Sequence, residues 1–310
     1  MKPIFTIVFL SLFTITQAQY YDFTSFYWNT YSSLNPAYSG FNSKSFLNVQ
    51  LLSENSRHSD NPTSIWVNSD LKIKAIHGAL GVSYNQFDNF LNHSKTLKLN
   101  YNYQLELNQL HKLSFGLSLG VDQFKSKANQ FTIGRYQAIF PIYWEDYQYT
   151  NLDVTRAKLG AGMMYRFKQI EMGLSVTNHI EANPYRIEDA STRTVYQEWN
   201  VYNSSVVHFY TNYRFSINKW LEMNPIFAYQ HLQGSNFSAG LLDINFIFKE
   251  VFLIGAQFTA NQSNINNASL LLGLELSKKF QFNYAYGATI SRLTNEPFSR
   301  HELGLAYIVR

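Results

Sequence analysis

Polar and apolar residues alternate almost without interruption between residues 97 and 121. Leucine and tyrosine occupy the odd positions of 97–107, and polar or charged residues occupy the even positions between them. After a short break the alternation returns over 113–121. Because the side chains of a β-strand point to opposite faces with a period of two, this pattern predicts a hairpin with one apolar and one polar face. Each arm has about 10 residues, the length that a tilted strand needs to cross a bilayer.

The same alternation continues along the chain after residue 43. The candidate strands are residues 44–53, 62–71, 74–87, 94–108, 111–125, 156–167, 170–178, 204–218, 220–231, 237–249, 251–261, 268–277, 280–291 and 300–310. Single-chain bacterial barrels need an even number of strands, and these candidates satisfy that requirement. The sequence therefore predicts an all-β fold: a single transmembrane antiparallel β-barrel of about 14 strands over residues 44–310.

The connections between these strands alternate between two lengths. The tight ones are 71–74, 108–112, 167–170, 218–220, 249–251 and 277–280, and each carries or adjoins a lysine. The longer, polar ones are 54–61, 88–93, 126–155, 178–203, 231–236, 261–267 and 292–299. Outer-membrane barrels have short periplasmic turns and long extracellular loops, so we expect this membrane as the location and both termini in the periplasm. The lysines suit either the lipid interface or docking of a periplasmic partner.

The composition agrees with a barrel better than with a soluble domain. Charged residues make up 15% of the chain, against about 25% in typical soluble domains. Aromatic residues reach 17%, although the mean hydropathy is only -0.23. An apolar face toward lipid, a polar interior and aromatic girdles account for all three values. A two-sheet sandwich is the alternative, but its strands are usually shorter. The net charge of +4 is too small to indicate nucleic-acid binding.

The first 18 residues have the features of a secretory signal peptide. Lys2 precedes an apolar run over 4–15, and small residues precede Gln19. We therefore expect residues 1–18 to be removed on export and residues 19–43 to form a separate N-terminal segment before the barrel. The chain contains no cysteine, which excludes disulfide and thiol chemistry.

Residues 19–43 are unusually rich in aromatic side chains. Such density is typical of an interaction surface. The segment could plug the lumen of its own barrel, dock to a periplasmic partner, or remain disordered. With the aromatic residues of two long loops it supplies the candidate partner-binding residues: Tyr20, Tyr21, Phe23, Phe26, Tyr27, Trp28, Tyr31, Asn35, Pro36, Tyr38, Tyr143, Trp144 and Trp199.

Glycine and serine are frequent on the polar faces of the central strands. Gly116, Gly120, Gly160, Gly162 and Gly173 all occupy positions that point inward in the predicted barrel. Glycine in a strand permits bending and close packing. The same small residues could instead leave a lumen through which a chain or a solute passes. Both interpretations stay open from the sequence.

Four segments resemble the PorP/SprF family of outer-membrane proteins, which belongs to type IX secretion and gliding. Residues 34–40, LNPAYSG, are similar to the family's N-terminal signature. Residues 113–124 and 159–176 resemble its glycine-rich strands, and residues 301–307, HELGLAY, resemble its closing strand. The four segments occur in the family's order and cover nearly the whole predicted mature chain.

The resemblance implies a role in protein export. Family members support secretion or surface attachment of a specific cargo, such as a large adhesin with a C-terminal secretion domain, and some associate with periplasmic components. We therefore expect cargo, periplasmic secretion components and outer-membrane lipids as partners. The alternative is an outer-membrane porin or transport channel for small solutes. The mostly uncharged inner faces disfavour ion selection without excluding a plain pore.

Nothing in the sequence favours catalysis. The eight histidines are scattered singly, without an H-E-x-x-H motif or a pair spaced four residues apart. Ser299, His301 and Glu302 are close in sequence, but adjacent residues of a strand face opposite sides and cannot form a triad. We expect no enzymatic activity, no cofactor and no metal centre.

Overall fold

The computed structural model describes residues 23–42, 45–55, 61–88, 92–126, 152–181, 184–189, 194–199, 202–233, 238–261, 265–291 and 297–309. Within these residues the chain forms one closed antiparallel barrel, because β-strands that follow each other in the chain pair in order and the first strand pairs with the last. The predicted all-β barrel of 14 strands is confirmed.

The strands of the structure are β1 Ser45–Asn55, β2 Thr63–Ile73, β3 Gly78–Asp88, β4 Asn92–Glu106, β5 His111–Ser126, β6 Leu152–Phe167, β7 Ile170–Glu181, β8 Pro184–Asp189, β9 Thr194–Trp199, β10 Tyr202–Tyr213, β11 Phe215–Asn218, β12 Leu221–Leu232, β13 Ser238–Phe248, β14 Phe252–Asn261, β15 Ile265–Ser277, β16 Phe280–Ser291 and β17 Pro297–Val309. β10 and β11 pair with the same strand, β12, and the register is continuous from β10 to Ser216 of β11, after which it shifts by one residue. They therefore count as a single barrel strand interrupted at Arg214.

Two connections differ from the predicted ones. The loop predicted over 178–203 contains the end of β7 and a separate hairpin of β8 and β9. This hairpin includes residues with high strand propensity, such as Val195 and Tyr196. The turn predicted at 71–74 lies three residues later, where a 3₁₀ helix over Lys74–Ile76 ends at His77 in a left-handed conformation.

The alternation of side chains is the physical basis of the barrel. On β4 and β5 the odd positions are exposed, including Leu99 at 57% and Leu117 at 64%. The even positions between them, such as Asn102 and Ser114, are buried inside the barrel. A continuous outer belt of exposed leucine and aromatic side chains is the surface that lipid covers in outer-membrane barrels.

The two ends of the barrel differ. The β2–β3, β4–β5, β6–β7, β11–β12, β13–β14 and β15–β16 connections lie at one end, together with the start of β1 and the end of β17. We call this the short-turn end and the opposite one the long-loop end. No helix among the described residues is long and apolar enough to span a membrane.

Residues 23–42, which we call the plug, lie inside the barrel. They contain the helix α1, Tyr27–Thr30, and 3₁₀ helices over Tyr31–Ser33 and Pro36–Tyr38. Their aromatic side chains form two buried clusters with inward residues of the wall. The hydrophobic core of the described chain therefore lies between the plug and the barrel rather than between two sheets.

Candidate functional site: the plugged lumen

The plug crosses the lumen from its long-loop half to the short-turn end. At its first residue, the carbonyl of Phe23 accepts a hydrogen bond from Nη2 of Arg300 at 2.7 Å. Arg300 pairs with Glu54, near the long-loop end of β1. At the other end, Nζ of Lys112 donates to the carbonyl of Phe41 at 2.6 Å, beside the β4–β5 turn. The predicted periplasmic N-terminus falls on residues before Phe23, outside the described residues.

Three polar side chains anchor the upper part of the plug. Glu302 accepts a hydrogen bond from the backbone N–H of Ser25 at 2.8 Å. Nε2 of Gln257 donates to the carbonyl of Ser25 at 2.8 Å. Nε2 of Gln50 donates to the carbonyl of Phe26 at 3.3 Å. The wall thus binds both backbone groups of Ser25, and it adds a second hydrogen bond to the Phe26 carbonyl, which already accepts from the Asn29 N–H at 2.9 Å.

A group of tyrosines fills the centre of the lumen. The Tyr31 ring stacks on Tyr210 of β10, with 4.3 Å between ring centroids. The ring centroids of Tyr27 and Tyr38 lie 5.2 and 5.0 Å, respectively, from the ring centroid of Tyr31. Burial raises the pKa of Tyr27, Tyr31 and Tyr38 far above the ordinary tyrosine value, so these phenols remain neutral. Packed aromatic rings therefore close the lumen at this level.

The lower plug is hydrogen-bonded to β4 and β5. Nδ2 of Asn100 donates to the carbonyl of Ser32 at 2.8 Å. Nδ2 of Asn102 donates to the carbonyl of Ala37 at 3.1 Å and also to that of Ser39. The Ser114 hydroxyl donates to the carbonyl of Ala37 at 2.8 Å. Inward polar residues of the barrel wall thus bind the plug backbone directly.

The LNPAYSG segment, residues 34–40, makes the tightest turn of the plug. The Asn35 side chain accepts from the Ala37 N–H at 3.0 Å and Pro36 follows it, as expected at the start of a short helix. Nδ2 of Asn35 also donates to the carbonyl of Met163 on β6 at 3.2 Å. Gly40 has a φ of 61°, a left-handed conformation that favours glycine.

Inward glycines of the wall form the seat of this turn. A Cβ atom at Gly116 would collide with the backbone of Pro36 and Ala37. A Cβ atom at Gly162 would collide with the side chain of Asn35. Three of the four segments of the family resemblance, residues 34–40, 113–124 and 159–176, therefore meet at one place, because the strand glycines make room for the LNPAYSG turn.

Charged and aromatic side chains hold the last residues of the plug at the short-turn end. The Arg166 guanidinium lies 4.7 Å from the centroid of the Phe41 ring and pairs with Glu171 at 2.6 Å. Trp28 is half-buried and lines a cavity of about 110 Å³ with Asn29 and Phe46. Its lining also includes Ile308 near the end of β17, so the cavity lies at the short-turn end.

The candidate residues that the sequence singled out are placed as follows. Trp28 is half-buried, and Trp199 belongs to β9, opposite Pro184. Tyr20, Tyr21, Tyr143 and Trp144 lie outside the described residues. The remaining candidates are buried in the lumen: Phe23, Phe26, Tyr27, Tyr31, Asn35, Pro36 and Tyr38. Buried residues cannot contact a partner while the plug stays in place, so their role in partner binding remains a prediction.

Sequence reasoning missed the wall residues that hold the plug, namely Tyr210, Arg300, Glu302 and Asn102. The sequence contained one signal for such a residue: Tyr210 is aromatic, whereas the neighbouring inward positions of β10, His208 and Asn212, are polar. Glu302 and His301 point to opposite sides, Glu302 to Ser25 and His301 to the Tyr284 hydroxyl at 3.0 Å. Among the described residues no group of three or more histidine, cysteine, aspartate or glutamate side chains could hold a metal ion.

A closed barrel with an apolar outer belt defines the class: an outer-membrane β-barrel protein. The family model described as type IX secretion system membrane protein PorP/SprF matches residues 15–307. The chain therefore belongs to the PorP/SprF family, an outer-membrane component of type IX secretion, as the resemblance predicted. The matched residues include both the plug and the barrel.

Solved structures share the fold at low sequence identity. The Pseudomonas putida toluene transporter TodX is similar with a TM-score of 0.53 and 8% identity, over 94% of this chain and 95% of that chain. The CymD monoaromatic hydrocarbon channel has a TM-score of 0.51 and 10% identity, over 89% and 91% of the two chains. At this identity the similarity shows the fold alone. The search of curated proteins found no match.

Proposed function

We propose that this protein is a non-enzymatic accessory component of type IX secretion that supports the export or surface attachment of a specific cargo, such as a large adhesin. Family membership over residues 15–307 is the observation that carries this proposal. The packed tyrosines of the plug add a physical constraint, because a folded or extended cargo cannot share the lumen with them. Cargo would then bind at the surface of the barrel, not inside it.

The orientation that fits this role places the short-turn end in the periplasm. Short turns are typical of the periplasmic side of outer-membrane barrels. Periplasmic secretion components would dock there, near the Trp28 cavity and the lysines of the turns. The long loops, which contain Tyr143, Trp144 and Trp199, would face the cargo and its C-terminal domain.

Cysteine labelling tests this orientation on a clean background, because the natural chain has no cysteine. Asn61→Cys marks the long-loop end and Lys278→Cys marks the short-turn end, both at exposed positions. A membrane-impermeant maleimide should label Asn61→Cys on intact cells and Lys278→Cys only after the outer membrane is permeabilised. The reverse pattern would invert the proposed orientation.

Deletion of the gene tests the secretion role. Loss of the protein should reduce the amount of cargo adhesin on the cell surface, and the wild-type gene should restore it. Tyr143→Ser with Trp144→Ser should impair restoration more than Lys278→Ser, which changes a turn at the opposite end. Unchanged secreted and displayed proteins in the deletion strain would exclude the proposal.

A channel for small solutes is the second candidate function. Its support is the shared fold with TodX and CymD, whose names describe a toluene transporter and a monoaromatic hydrocarbon channel. The plug disfavours an open pore, because its rings and backbone are packed against both sides of the wall. Planar bilayers separate the two functions. Large, steady conductance of the wild-type protein would favour the channel.

A further inference from the structure

A buried carboxylate lies in the wall of the barrel without an ion pair to any described residue. Asp243 of β13 is 0% exposed, and among the described residues no donor reaches either carboxylate oxygen with full hydrogen-bond geometry. The ion pairs found among the described lumen residues involve other carboxylates, for example Lys158 with Asp122 and Arg166 with Glu171. A buried charge is strongly unfavourable unless a counter-charge or several hydrogen bonds compensate it.

Amide side chains surround this carboxylate. Gln257 lies directly opposite Asp243 on β14, and the side chains of Gln257 and Asn245 neighbour it. Asn224 of β12 lies opposite Asn245. The carbonyl oxygens of Asn224, Asn245 and Gln257 are buried and accept no hydrogen bond. We call Asp243, Asn245, Asn224 and Gln257 the carboxylate–amide cluster.

A cavity lies next to the cluster at the short-turn end. A cavity of about 430 Å³ opens there between the β11–β12 and β13–β14 turns, and its lining includes Glu222 and Ile247. Asn224 and Asn245 occupy the next inward positions above these two residues. Asp243 follows Asn245 as the next inward residue of β13. Along the strands, the two asparagines therefore lie between the cavity lining and the carboxylate.

From this arrangement we propose that the carboxylate–amide cluster binds a hard metal cation in the barrel wall. Hard cations prefer oxygen ligands from carboxylates, amide carbonyls and water, and the cluster contains a carboxylate and three amide carbonyls. One negative charge among neutral oxygens suits either a weakly held Ca²⁺ that keeps several waters or a monovalent Na⁺. Other unpaired amides of the lumen suit water: Asn48 lies opposite Ala306 and Asn68, and Asn283 lies opposite Gly273 and Gly304, so neither has a carboxylate directly across the strand.

Calcium binding to the purified full-length barrel in detergent is the first test. Equilibrium dialysis with ⁴⁵Ca²⁺ should find about one saturable ion per wild-type chain. Asp243→Asn should abolish this binding, while Asp88→Asn, which removes a carboxylate at the long-loop rim, should leave it unchanged. Because Asn has the shape of Asp, heat-modifiable gel mobility should show that both variants remain folded.

A second experiment tests Na⁺ as the bound ion. If Ca²⁺ does not bind, NaCl should raise the thermal unfolding midpoint of the wild type more than choline chloride at equal ionic strength, and Asp243→Asn should lose that difference. The proposal is overturned if neither ion distinguishes the wild type from Asp243→Asn.

A gain-of-function variant covers the case in which Asp243→Asn does not fold. Asn245→Asp adds a second carboxylate to the cluster, and Ca²⁺ affinity rises with the number of charged ligands. Its Ca²⁺ affinity should therefore increase by about tenfold or more over the wild type. A merely structural role of the cluster predicts no such gain, because a second buried carboxylate would then only destabilise the barrel.

Discussion

Two walls of the same lumen use the same residue types in different ways. The first, which we call the plug-binding wall, lies on β4, β5 and β7, and its inward side chains donate hydrogen bonds to plug carbonyls: Lys98, Asn100, Asn102, Lys112, Ser114 and Ser175. The second, which we call the amide wall, has inward polar side chains whose buried atoms have no hydrogen-bond partner among the described residues: Asn48, Asn68, Asn224, Asp243, Asn245 and Asn283. Burial and polarity alone therefore do not reveal what an inward residue does.

The difference follows from where the plug backbone lies. Residues 31–42 run along the plug-binding wall and offer carbonyl oxygens at short distances. Against the opposite wall, the described hydrogen bonds of the plug come from its upper residues, for example Ser25 to Glu302, and from Gly40, whose N–H donates to Asp70. Buried amides without a protein partner need water or an ion, since an unsatisfied buried polar group costs about 1–3 kcal/mol. The amide wall is thus where further ligands of the lumen should be sought.

The largest expected effect comes from filling the seat of the plug. Gly116→Val would place a side chain where the backbone of Pro36 and Ala37 lies. Overpacking of this kind should lower the free energy of unfolding by about 3 kcal/mol, measured by urea titration in detergent. Gly240→Val is the matched control, because no atom lies within 4 Å of its Cβ position. Equal losses in the two variants would show that the plug does not press on Gly116.

A pair of asparagine substitutions compares the two walls directly. Asn102→Ala leaves the carbonyls of Ala37 and Ser39 without this donor and should cost about 2 kcal/mol. Asn283→Ala removes an amide that makes no hydrogen bond and should change stability by less than about 0.5 kcal/mol. The shift in the urea midpoint measures both. Similar shifts in the two variants would contradict the claim that the plug-binding wall, and not the amide wall, is hydrogen-bonded to the plug at this level.

The smallest expected effect concerns two tyrosine hydroxyls of the plug. The Tyr31 hydroxyl accepts a hydrogen bond from Nδ2 of Asn35 at 3.3 Å, whereas the Tyr27 hydroxyl is buried without a partner. Tyr31→Phe should therefore cost about 0.5–1 kcal/mol, and Tyr27→Phe should be neutral or slightly stabilising. Thermal unfolding followed by gel mobility can rank the two variants. A larger loss from Tyr27→Phe would contradict the assignment of partners.

The fold could be predicted from the sequence because lipid contact imposes a strict rule on every strand. Residues 97–107 obey it without exception, and β4 and β5 form where the alternation predicts them. The connections were harder to predict, because lipid contact places no constraint on a loop such as 178–203. The sequence of its β8–β9 hairpin therefore resembles other polar segments. Alternation fixes which face a residue occupies but not what meets it there.

The candidate site shows this limit most clearly. Asn102 lies between Tyr101 and Tyr103, and Asn283 lies between Phe282 and Tyr284. The two local sequences are nearly the same, and both asparagines are buried and inward-facing. Only the path of the plug, which depends on contacts far apart in sequence, makes Asn102 a donor to the plug and leaves Asn283 unpaired.

The plug packs against β2 and β3 inside the barrel, and one cross-link tests this position directly. The Cβ position of Gly81 lies 3.2 Å from the Cβ atom of Ser39. This is near the Cβ–Cβ distance found in disulfides, which is about 3.5–4.5 Å. In isolated outer membranes under mild oxidation, the pair Ser39→Cys with Gly81→Cys should form an intramolecular disulfide in most molecules, whereas Ser39→Cys with Gly240→Cys should not. Free, maleimide-reactive thiols at both positions of the first pair would contradict a plugged lumen.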